Sequence, residues 1–516
     1  METGGMLMIT FAAIDVGSNE ISMKIYEISK AAAIREIDHV RQTIELGSET
    51  YTNGKISYLM VNELCEILQN FTIKMQEYQV NDYTAYATSA LREASNQIVI
   101  LDQIKLRCGL KVKILSNSEQ RFLCYKAITL QETAFQDMIK KGTAIVDVGS
   151  GSMQISLFDK EALVSTQNIR QGSMRVRENL SQMEKHADNF KNLISEYIDH
   201  EISTYIGKFF KNKKIKNIIA VGDQLNEMLH FYKKFSHTDY LAKEDFNELY
   251  SYLFSESIDD LSQNLDISKE EATLALPTAM IYHKILEKTK AEGMWIPSIS
   301  LCEGIAIEYA EKKIKLKQPH NFTEDIIQSS RNIAKRYESN TKHCDNVEYT
   351  ALSIFDKIRK LHGLGKRERL FLQIAVILHN CGGFINMNDV PENSYKIILA
   401  TEIIGLSHHE REMVAYLVRY NVDNFPSYHE LAEYMNRENY LIIIKLTAIL
   451  RIANALDASH KQKFSNISIS LRDTVLTITA NTLEDITLER GLFDQKADFF
   501  EEVYGIRPII KQKRSL

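Results

Sequence analysis

The sequence Asp-Val-Gly-Ser occurs twice in the chain, at residues 15–18 and again at residues 147–150. A short apolar run precedes each copy, and apolar residues alternate with polar ones after it. Alternation with a period of two is typical of a strand that has one buried face. We therefore predict that each copy is the turn of a β-hairpin, with its aspartate at the end of the first strand.

These turns contain the residue types that bind phosphate. A glycine lets the backbone approach a ligand closely, and successive N–H groups in a turn form an anion-binding concavity. Ser18 and Ser150 add hydroxyl donors, and Asp15 and Asp147 carry the oxygen ligands that Mg²⁺ prefers. Two such hairpins facing each other would grip a phosphate from both sides. Two unrelated tight hairpins are the alternative, but the second copy between matched strands favours the phosphate clamp.

A third segment places an arginine near the start of a helix. Residues 83–87 are predicted to form a short strand, which runs into a polar turn at Ser89 and then into a helix with Arg92 in its first turn. Free backbone N–H groups and a guanidinium fork would suit a second phosphate there. On local grounds alone, a surface arginine paired with a glutamate explains Arg92 equally well. A further strand, residues 112–115, leads to a helix start at Ser116.

The chain is long enough for several domains, and its composition is that of a folded protein. At about 150 residues per domain, the 516 residues predict three or four domains. Hydrophobic residues make up 44% and charged residues 25%, which is ordinary for a globular protein. The 62 Lys and Arg against 68 Asp and Glu give a formal charge of -6, so we expect no specific nucleic-acid partner.

We expect a cytoplasmic protein without a membrane segment. The N-terminus lacks the basic region and long apolar run of a signal peptide, and no stretch approaches the roughly 18 uncharged apolar residues of a membrane helix. The six cysteines form no Cys-x-x-Cys pair, which favours buried free thiols in a reducing compartment.

Together, these segments resemble the exopolyphosphatase / guanosine pentaphosphate phosphatase (Ppx/GppA) family. They follow the family's order over residues 12–305, and the ordered set is more specific than any one piece. The matching segments are AAIDVGSN (12–19), ATSALREASN (87–96), ILSNSEQRFLCY (114–125), IVDVGSGSMQ (145–154), IRQGSMRVRE (169–178), AVGDQ (220–224), LPTAMIYHKIL (276–286) and SLCEGI (300–305).

The resemblance implies an α/β fold with two actin-like (RNase-H-like) lobes and a cleft between them, at residues 1–130 and 131–318. It also implies an all-α HD-like domain at residues 319–462 and a small α+β terminal module at residues 463–516. The implied activity is Mg²⁺-dependent hydrolysis of a terminal phosphoanhydride in polyphosphate or guanosine pentaphosphate, and the sequence does not choose between these substrates. Helical second halves in similar proteins often support a homodimer, which stays an open expectation here.

The resemblance also implies roles for individual residues. The two Asp-Val-Gly-Ser turns would form two phosphate-binding loops. A serine and two arginines outside these loops would also contact phosphate, and the aspartate of each loop would hold Mg²⁺. The implied phosphate-binding residues are Asp15, Gly17, Ser18, Asn19, Ser89, Arg92, Asp147, Gly149, Ser150, Gly151, Ser152 and Arg175. The implied metal ligands are Asp15 and Asp147.

The chain departs from the family's pattern where a glutamate would act as the catalytic base. That position holds Gln120, and Gln154 stands where the second loop usually ends in glutamate. A glutamine amide can orient a water but accepts no proton near neutral pH. Glu119, one position earlier, points about 100° away on a helix. With Glu119 and Gln120 as the catalytic candidates, we expect either a slow hydrolase or a non-catalytic phosphate or nucleotide sensor.

A sugar-kinase-like ATPase is a weaker alternative, because duplicated Asp-Gly hairpins also occur in that wider fold. The family's Gly-Gly-Thr pattern has become Gly222-Asp223-Gln224, and this loss of a glycine-rich adenosine motif argues against it. A basic run of lysines could steer a polyanion such as polyphosphate, although such runs are usually solvated faces. These lysines are Lys211, Lys213, Lys214 and Lys216.

The second half is predicted to be mainly helical. In metal-binding HD domains a histidine, a His-Asp pair and a later aspartate hold the metals, and the resemblance places His343, His379 and Asp457 at corresponding positions. Asn380 follows His379 in place of the aspartate, and neutral amides are poor ligands for divalent metals. We therefore expect a scaffold domain whose polar residues are satisfied by one another.

Overall fold

The structure is a computed structural model that describes residues 8–30, 33–131, 134–210, 214–231, 239–289, 291–421, 424–464 and 466–513. The chain divides into two units, Met1–Phe322 and Thr323–Leu516. The first unit contains two sheets, and the second combines helices with a smaller third sheet. The mixed α/β class expected from the sequence is confirmed.

The first sheet is built from the N-terminal part of the chain. Its strands are β1 (Ile9–Val16), β2 (Glu20–Ser29), β3 (Ala33–Thr43), β4 (Asp82–Ala87) and β5 (Val112–Ile114). They lie in the order β3-β2-β1-β4-β5. The first three strands pair antiparallel, and β4 and β5 continue the sheet in parallel.

The second sheet repeats this topology. Its strands are β6 (Thr143–Val148), β7 (Met153–Asp159), β8 (Ala162–Ile169), β9 (Asn217–Val221), β10 (Tyr240–Ala242) and β11 (Gly293–Trp295), in the order β10-β11-β9-β6-β7-β8. The antiparallel set β6-β7-β8 corresponds to β1-β2-β3, and the parallel strands β9 and β11 correspond to β4 and β5. The repeated sequence motif thus belongs to a repeated supersecondary unit.

Both predicted hairpins are confirmed, and their turns close in the same way. Strands β1 and β2 are antiparallel neighbours, as are β6 and β7. The N–H of Gly17 donates to the carbonyl of Glu20 at 2.9 Å, and the N–H of Gly149 donates to the carbonyl of Ser152 at 3.0 Å. The two turns therefore share one hydrogen-bonding pattern, with an aspartate near the end of the preceding strand.

Helices cover the two sheets. They are α1 (Leu46–Asn53), α2 (Tyr58–Glu77), α3 (Ser89–Glu93), α4 (Gln97–Cys108), α5 (Asn117–Gln131), α6 (Phe135–Met138), α7 (Ser173–Leu180), α8 (Phe190–Phe209), α9 (Asp223–Phe231), α10 (Lys243–Ser255), α11 (Ile258–Leu265), α12 (Lys269–Thr289) and α13 (Leu301–Lys313). Short 3-10 turns occur at Ile139–Lys141 and Glu184–His186.

Local sequence explains how these helices pack. Ser57 precedes α2, and its hydroxyl accepts a hydrogen bond from the N–H of Met60 at 3.3 Å, which satisfies a free donor of the first turn. The buried residues of α2 recur at spacings of three and four, so they form one apolar face toward the first sheet. They include Val61, Leu64, Cys65, Leu68, Phe71 and Met75.

Helix α13 joins the first sheet rather than the second. Its apolar residues Leu301, Ile305 and Ala306 belong to the same core cluster as Phe11 and Tyr26 of β1 and β2. The sequence-based boundaries place residues 131–318 in the second lobe. After β11 the chain instead returns to the first sheet through α13. The sequence does not indicate this return, because it depends on contacts between distant segments.

The second unit is mainly helical. Its helices are α14 (Phe322–Arg336), α15 (Thr341–Lys357), α16 (Arg359–His362), α17 (Lys366–Leu378), α18 (Val390–Ala400), α19 (His408–Arg419), α20 (Tyr428–Leu431), α21 (Arg437–Ala455) and α22 (Thr487–Tyr504), with a 3-10 turn at Cys381–Phe384. Its sheet has the order β12-β13-β14, formed by β12 (Ile467–Arg472), β13 (Val475–Asn481) and β14 (Arg507–Lys513).

The terminal α+β segment packs within this second unit. The Tyr504 hydroxyl at the end of α22 donates to the carbonyl of Lys445 in α21 at 2.7 Å. The guanidinium of Arg451 lies over the ring of Phe499 at 4.2 Å. The segment has the order β12, β13, α22 and β14, so it contains the helix and strands expected of an α+β module, but it does not separate from the other helices as a unit of its own.

Candidate active site

One cavity of the first unit, with a volume of about 640 Å³, is lined by both hairpin turns. Each turn adds its aspartate, so Asp15 and Asp147 face the same space. Of the other residues singled out from the sequence, those that line the cavity are Gly17, Ser18, Asn19, Ser89, Gln120, Gly149, Ser150 and Ser152. The structure thus brings the two repeats together around one space.

Glu119, one of the two catalytic candidates, is not among the residues that line this cavity. Its carboxylate accepts hydrogen bonds from the ammonium of Lys113 at 2.9 Å and from the N–H of Ser116 at 3.0 Å. The Ser116 hydroxyl in turn accepts from the N–H of Glu119 at 3.2 Å. Glu119 therefore caps the start of α5, while Gln120 reaches the cavity.

The two arginines and Gly151 also lie outside the cavity lining. Arg92 donates to the carbonyl of Leu115 at 2.7 Å. Arg175 donates to the carbonyl of Gly151 at 2.6 Å and to the carboxylate of Glu93 at 2.8 Å. Both arginines therefore have hydrogen-bond partners within the protein, outside the cavity lining.

Tyr51 of α1 connects the two turns, although sequence reasoning did not identify it. Its hydroxyl lies 2.7 Å from the Ser18 hydroxyl and donates to the Ser89 hydroxyl at 3.1 Å. The guanidinium of Arg175 stacks over its ring at 3.9 Å. A Cβ on Gly151 would lie 2.0 Å from the Tyr51 hydroxyl, so a larger residue there would displace the tyrosine. No local sequence signal marks this tyrosine, because α1 meets the turns only through the fold.

The cavity concentrates negative charge. Desolvation inside the cavity raises the pKa of Asp15 to about 8, and the charges of Asp223 and Asp147 add to this effect. Desolvation and the charge of Asp223 raise the pKa of Asp147 to about 7. Asp223 itself is exposed to the cavity but enclosed on other sides by protein, and this desolvation raises its pKa to about 6, with a further contribution from Glu303.

Two further acids share one cation at the cavity wall. Arg41 contacts the carboxylate of Glu227 at 2.5 Å and lies 3.8 Å from that of Glu20. Even so, desolvation and the charge of Asp223 raise the pKa of Glu20 to about 8, against the opposing effect of Arg41. Desolvation likewise raises the pKa of Glu227 to about 7 despite Arg41.

The segment after β9 brings Asp223 and Gln224 to the cavity, and sequence reasoning missed both as site residues. Gly222 has a φ of +153°, and a Cβ on it would lie 2.6 Å from the carbonyl of Val148. The Gln224 amide donates to the Ser150 hydroxyl at 3.3 Å, so it holds the second turn. The only sequence signal for these two residues is their position directly after a predicted strand. Because they replace the family's Gly-Gly-Thr pattern, from the sequence alone they are interpreted as the loss of a motif and not as part of a site.

Gln154 is oriented by a buried arginine. The Arg121 guanidinium donates to the Gln154 side-chain oxygen at 2.8 Å and also bonds the Thr166 hydroxyl. Because that oxygen is occupied, the amide nitrogen is the group that Gln154 offers to the cavity it lines. Arg121 also lowers the pKa of Asp147 in part, against desolvation.

The described residues contain no group of three or more His, Cys, Asp or Glu side chains arranged as a ready metal site. One carboxylate oxygen of Asp15 is nevertheless buried without a hydrogen-bond partner, and so is the side-chain oxygen of Asn19. All six cysteines are buried free thiols, as predicted. Of the basic run, Lys211 and Lys213 lie outside the described residues.

In the second unit, the structure brings together His343, His379 and Asp457. The imidazole of His343 lies 2.8 Å from the carboxylate of Asp457 through Nδ1 and 3.2 Å from His379 through Nε2. His379 Nδ1 donates to the carbonyl of Val376 at 2.7 Å, and His460 stacks on His343 at 3.8 Å. Desolvation and the neighbouring His343 lower the pKa of His379 to about 4.

Comparisons with known proteins identify relatives of this chain and a similar solved structure. Two curated relatives from Aeromonas hydrophila and Aliivibrio fischeri are both named guanosine-5'-triphosphate,3'-diphosphate pyrophosphatase. The first is 19% identical over 493 residues, 94% of this chain and 93% of the relative, and the second is 19% identical over 501 residues, 93% and 95%. The crystal structure of an exopolyphosphatase from Cytophaga hutchinsonii matches with a TM-score of 0.52 at 17% identity, over 59% of this chain and 98% of that one, which supports the fold.

Across the described residues, we find no helix with the length and apolar character needed to cross a membrane. Residues 327–495 match the model of the Ppx/GppA phosphatase domain III. Residues 25–313, more than half of the chain, match the model of the Ppx/GppA phosphatase family. The chain therefore belongs to the Ppx/GppA phosphatase family.

Proposed function

We propose that the protein is a Mg²⁺-dependent hydrolase that removes the terminal phosphate of guanosine pentaphosphate, with polyphosphate as the second substrate to test. Family membership supports a phosphoanhydride hydrolase. The names of the two curated relatives, which cover nearly the whole chain, favour the guanosine nucleotide as the first substrate.

The shared cavity of the two turns is the observation that carries this proposal. Six carboxylates line it, whereas Lys24 and Arg41 are its only Lys or Arg side chains among the described residues. Lys24 is bound to Glu303 and Glu36, and Arg41 is bound to Glu227. A phosphate chain carries several negative charges of its own. It would enter such a space only together with cations that offset the carboxylates.

The donor set suits Mg²⁺. Asp15 and Asp147 offer carboxylate oxygens, and one oxygen of Asp15 has no hydrogen-bond partner within the protein. Mg²⁺ prefers one or two carboxylates, its own waters and substrate phosphates to a complete protein cage. The absence of a three-residue cluster among the described residues fits that preference. Bound there, the ion would offset the charge on the phosphate oxygens.

The residues of the chain would then position the reaction. The Ser18, Ser89 and Ser150 hydroxyls donate to phosphate oxygens, with Ser150 held by Gln224. The Gln120 amide faces the cavity, where it orients a water toward the terminal phosphorus. Attack of that water breaks the bond from phosphorus to the bridging oxygen and yields orthophosphate and the shortened substrate.

A phosphate-release assay tests the proposal. Purified protein with Mg²⁺ is incubated with guanosine pentaphosphate, with polyphosphate or with ATP, and Asp147→Asn serves as the matched inactive variant. We expect release from guanosine pentaphosphate that exceeds release from ATP and disappears in the variant. If wild-type and variant proteins release the same amount from every substrate, the proposal is wrong.

A second candidate function is a non-catalytic phosphate or nucleotide sensor of the same fold. Gln120 and Gln154 favour it, because neither amide accepts a proton and Arg121 already occupies the oxygen of Gln154. A sensor would show a rise in melting temperature with guanosine pentaphosphate and Mg²⁺ but no release of phosphate. The same protein preparation therefore separates the two functions.

A further inference from the structure

Hydrolysis in this cavity needs a group that accepts a proton from the attacking water. The two glutamines cannot do so, and Glu119 lies outside the cavity lining and caps α5 instead. General-base help is typically worth about 10²–10⁴-fold in rate. Of the other side chains that line the cavity, His39 is bound through Nε2 to the Ser22 hydroxyl at 2.8 Å. We therefore look for the proton acceptor among the carboxylates of the lining.

Geometry separates these carboxylates. Glu20 and Glu227 share Arg41, at 3.8 and 2.5 Å. Asp239 precedes β10, which β11 and β9 separate from the hairpin strand β6. Asp15 and Asp147 are the groups proposed above to hold Mg²⁺, so their lone pairs are committed.

Asp223 is the carboxylate that remains. Among the described residues, no hydrogen bond or ion pair joins its carboxylate to another side chain. It is exposed to the cavity, where a water can reach it. It therefore offers a free proton acceptor inside the cavity.

The backbone fixes Asp223 beside the second turn. Strands β6 and β9 are parallel neighbours, with Asp147 opposite Val221, so Asp223 follows the strand end next to Asp147. Gly222 lies so close to the Val148 carbonyl that no Cβ fits between them. This contact holds the start of α9 against the base of the turn.

We propose that Asp223 is the general base of this enzyme, an inference that rests on the hydrolase function proposed above. Asp223 takes a proton from the water as the water oxygen bonds to the terminal phosphorus. The bond to the bridging oxygen breaks, its electron pair stays on the leaving phosphate, and Asp223 then returns the proton to solvent or to that phosphate. Desolvation raises the pKa of Asp223, which makes its carboxylate a better proton acceptor than a fully solvated aspartate.

The test compares Asp223→Asn with wild type and with Glu244→Gln, a control at an exposed acid in the first turn of α10. With guanosine pentaphosphate and Mg²⁺, we expect kcat of Asp223→Asn to fall at least about 100-fold. KM and the rise in melting temperature caused by Mg²⁺ plus substrate should stay close to wild type. The control should keep its kcat, KM and thermal response.

Relocating the base supplies the second measurement. Gln120→Glu is introduced into the Asp223→Asn variant. We expect kcat of this double variant to be at least tenfold higher than that of Asp223→Asn alone, because a carboxylate then reaches the same cavity from α5. No recovery, or an Asp223→Asn variant that keeps more than a third of wild-type kcat, overturns the assignment. Loss of the Mg²⁺-dependent thermal response would make Asp223 a metal ligand instead and also overturns it. A wild-type protein without turnover overturns the proposed function as well, whereas the other outcomes leave that function standing.

Discussion

The molecule contains two groups of buried or cavity-facing ionisable side chains. They differ in how many of their hydrogen-bond and charge partners are other residues of the protein. In the first unit, Asp15, Asp147 and Asp223 face a cavity, where desolvation and the charge of Asp223 raise the pKa values of Asp15 and Asp147. One oxygen of Asp15 is buried without a hydrogen-bond partner. The protein leaves this group of charges incomplete, which is the condition of a site that a ligand completes.

In the second unit, His343, His379 and Asp457 form a closed set. His343 is bound by Asp457 on one side and by His379 on the other, and His379 is also bound to the Val376 carbonyl. The side chains of His343 and Asp457 are 0% and 1% exposed, so no ligand reaches them in this conformation. Residue types that commonly bind metals therefore do not by themselves make a site, because their polar atoms can be satisfied internally.

The largest expected effect concerns the incomplete group. Asp147→Asn removes a charge that is proposed to hold Mg²⁺, and the loss of one such electrostatic contact typically costs about 10²–10³-fold in rate. We expect phosphate release from guanosine pentaphosphate to fall by that factor, with the fold intact, because repulsion from Asp223 is relieved. Circular dichroism checks the fold, and a variant with normal turnover would show that Asp147 has no part in the reaction.

The next effect concerns the closed set. Asp457→Asn removes the carboxylate that bonds a fully buried histidine, and a hydrogen bond to a charged group is typically worth about 1.5–3 kcal/mol. We expect a loss of that size in the unfolding free energy of the second unit, measured by urea denaturation. Asp147→Asn is the matched change in the first unit and should cost little or nothing. A small loss for Asp457→Asn would mean that the histidine set is not held by its charges.

Much of the first unit could be predicted from the sequence, because its signals are local. Alternating apolar residues and the Asp-Val-Gly-Ser turns predict both hairpins, which the pairing of β1 with β2 and of β6 with β7 confirms. The helix start at Ser116 is also local, since Glu119 caps it by a bond to the Ser116 N–H. What the sequence left open was which of Glu119 and Gln120 faces the cavity, because that depends on the helix phase.

The remaining parts of the site depend on contacts between distant segments. Tyr51 reaches Ser18 and Ser89 only because α1 packs against the first turn and against α3, and its own neighbours in the sequence carry no signal. Arg175 would donate to phosphate on the basis of its motif, but the fold offers it Glu93 and the Gly151 carbonyl. A motif gives the residue type, whereas the competing partners become visible only in three dimensions.

Mg²⁺ should stabilise the first unit and leave the histidine group of the second unit unchanged, an effect no larger than those of the two substitutions above. A ligand present at 100 times its Kd stabilises the folded state by about 2.7 kcal/mol. We expect Mg²⁺ to raise the unfolding free energy of the first unit by up to about this amount and EDTA to reverse it. Asp15→Asn should abolish the increase, and hydrogen exchange should show no matching change around His343. Equal stabilisation in the Asp15→Asn variant would place the cation elsewhere.

The smallest expected effect concerns pH: the stability of the two units should change in opposite directions as the pH is lowered. In the first unit, the folded pKa values of Asp15 and Asp147, about 8 and 7, lie above the ordinary value of 3.8. Their protonation therefore stabilises the fold at low pH, and this contribution is lost as the pH rises through 7 and 8. In the second unit, His379 has a folded pKa of about 4 against an ordinary 6.5, so the unfolded chain binds its proton more tightly. Stability from His379 is complete above pH 6.5 and is lost as the pH falls toward 4.

Lowering the pH from 7.5 to 5.5 without Mg²⁺ should therefore stabilise the first unit and destabilise the second, the latter by about 1 kcal/mol. Hydrogen exchange read by mass spectrometry measures both units in one sample, through peptides from β6 and from α17. Replacing Asp15 and Asp147 together by asparagine should reduce the response of the first unit, where Glu20, Glu227 and Asp223 also have raised pKa values, and leave that of the second unchanged. Responses of the same sign in both units would contradict this prediction, because desolvation favours the protonated form of a carboxyl group and the deprotonated form of an imidazole.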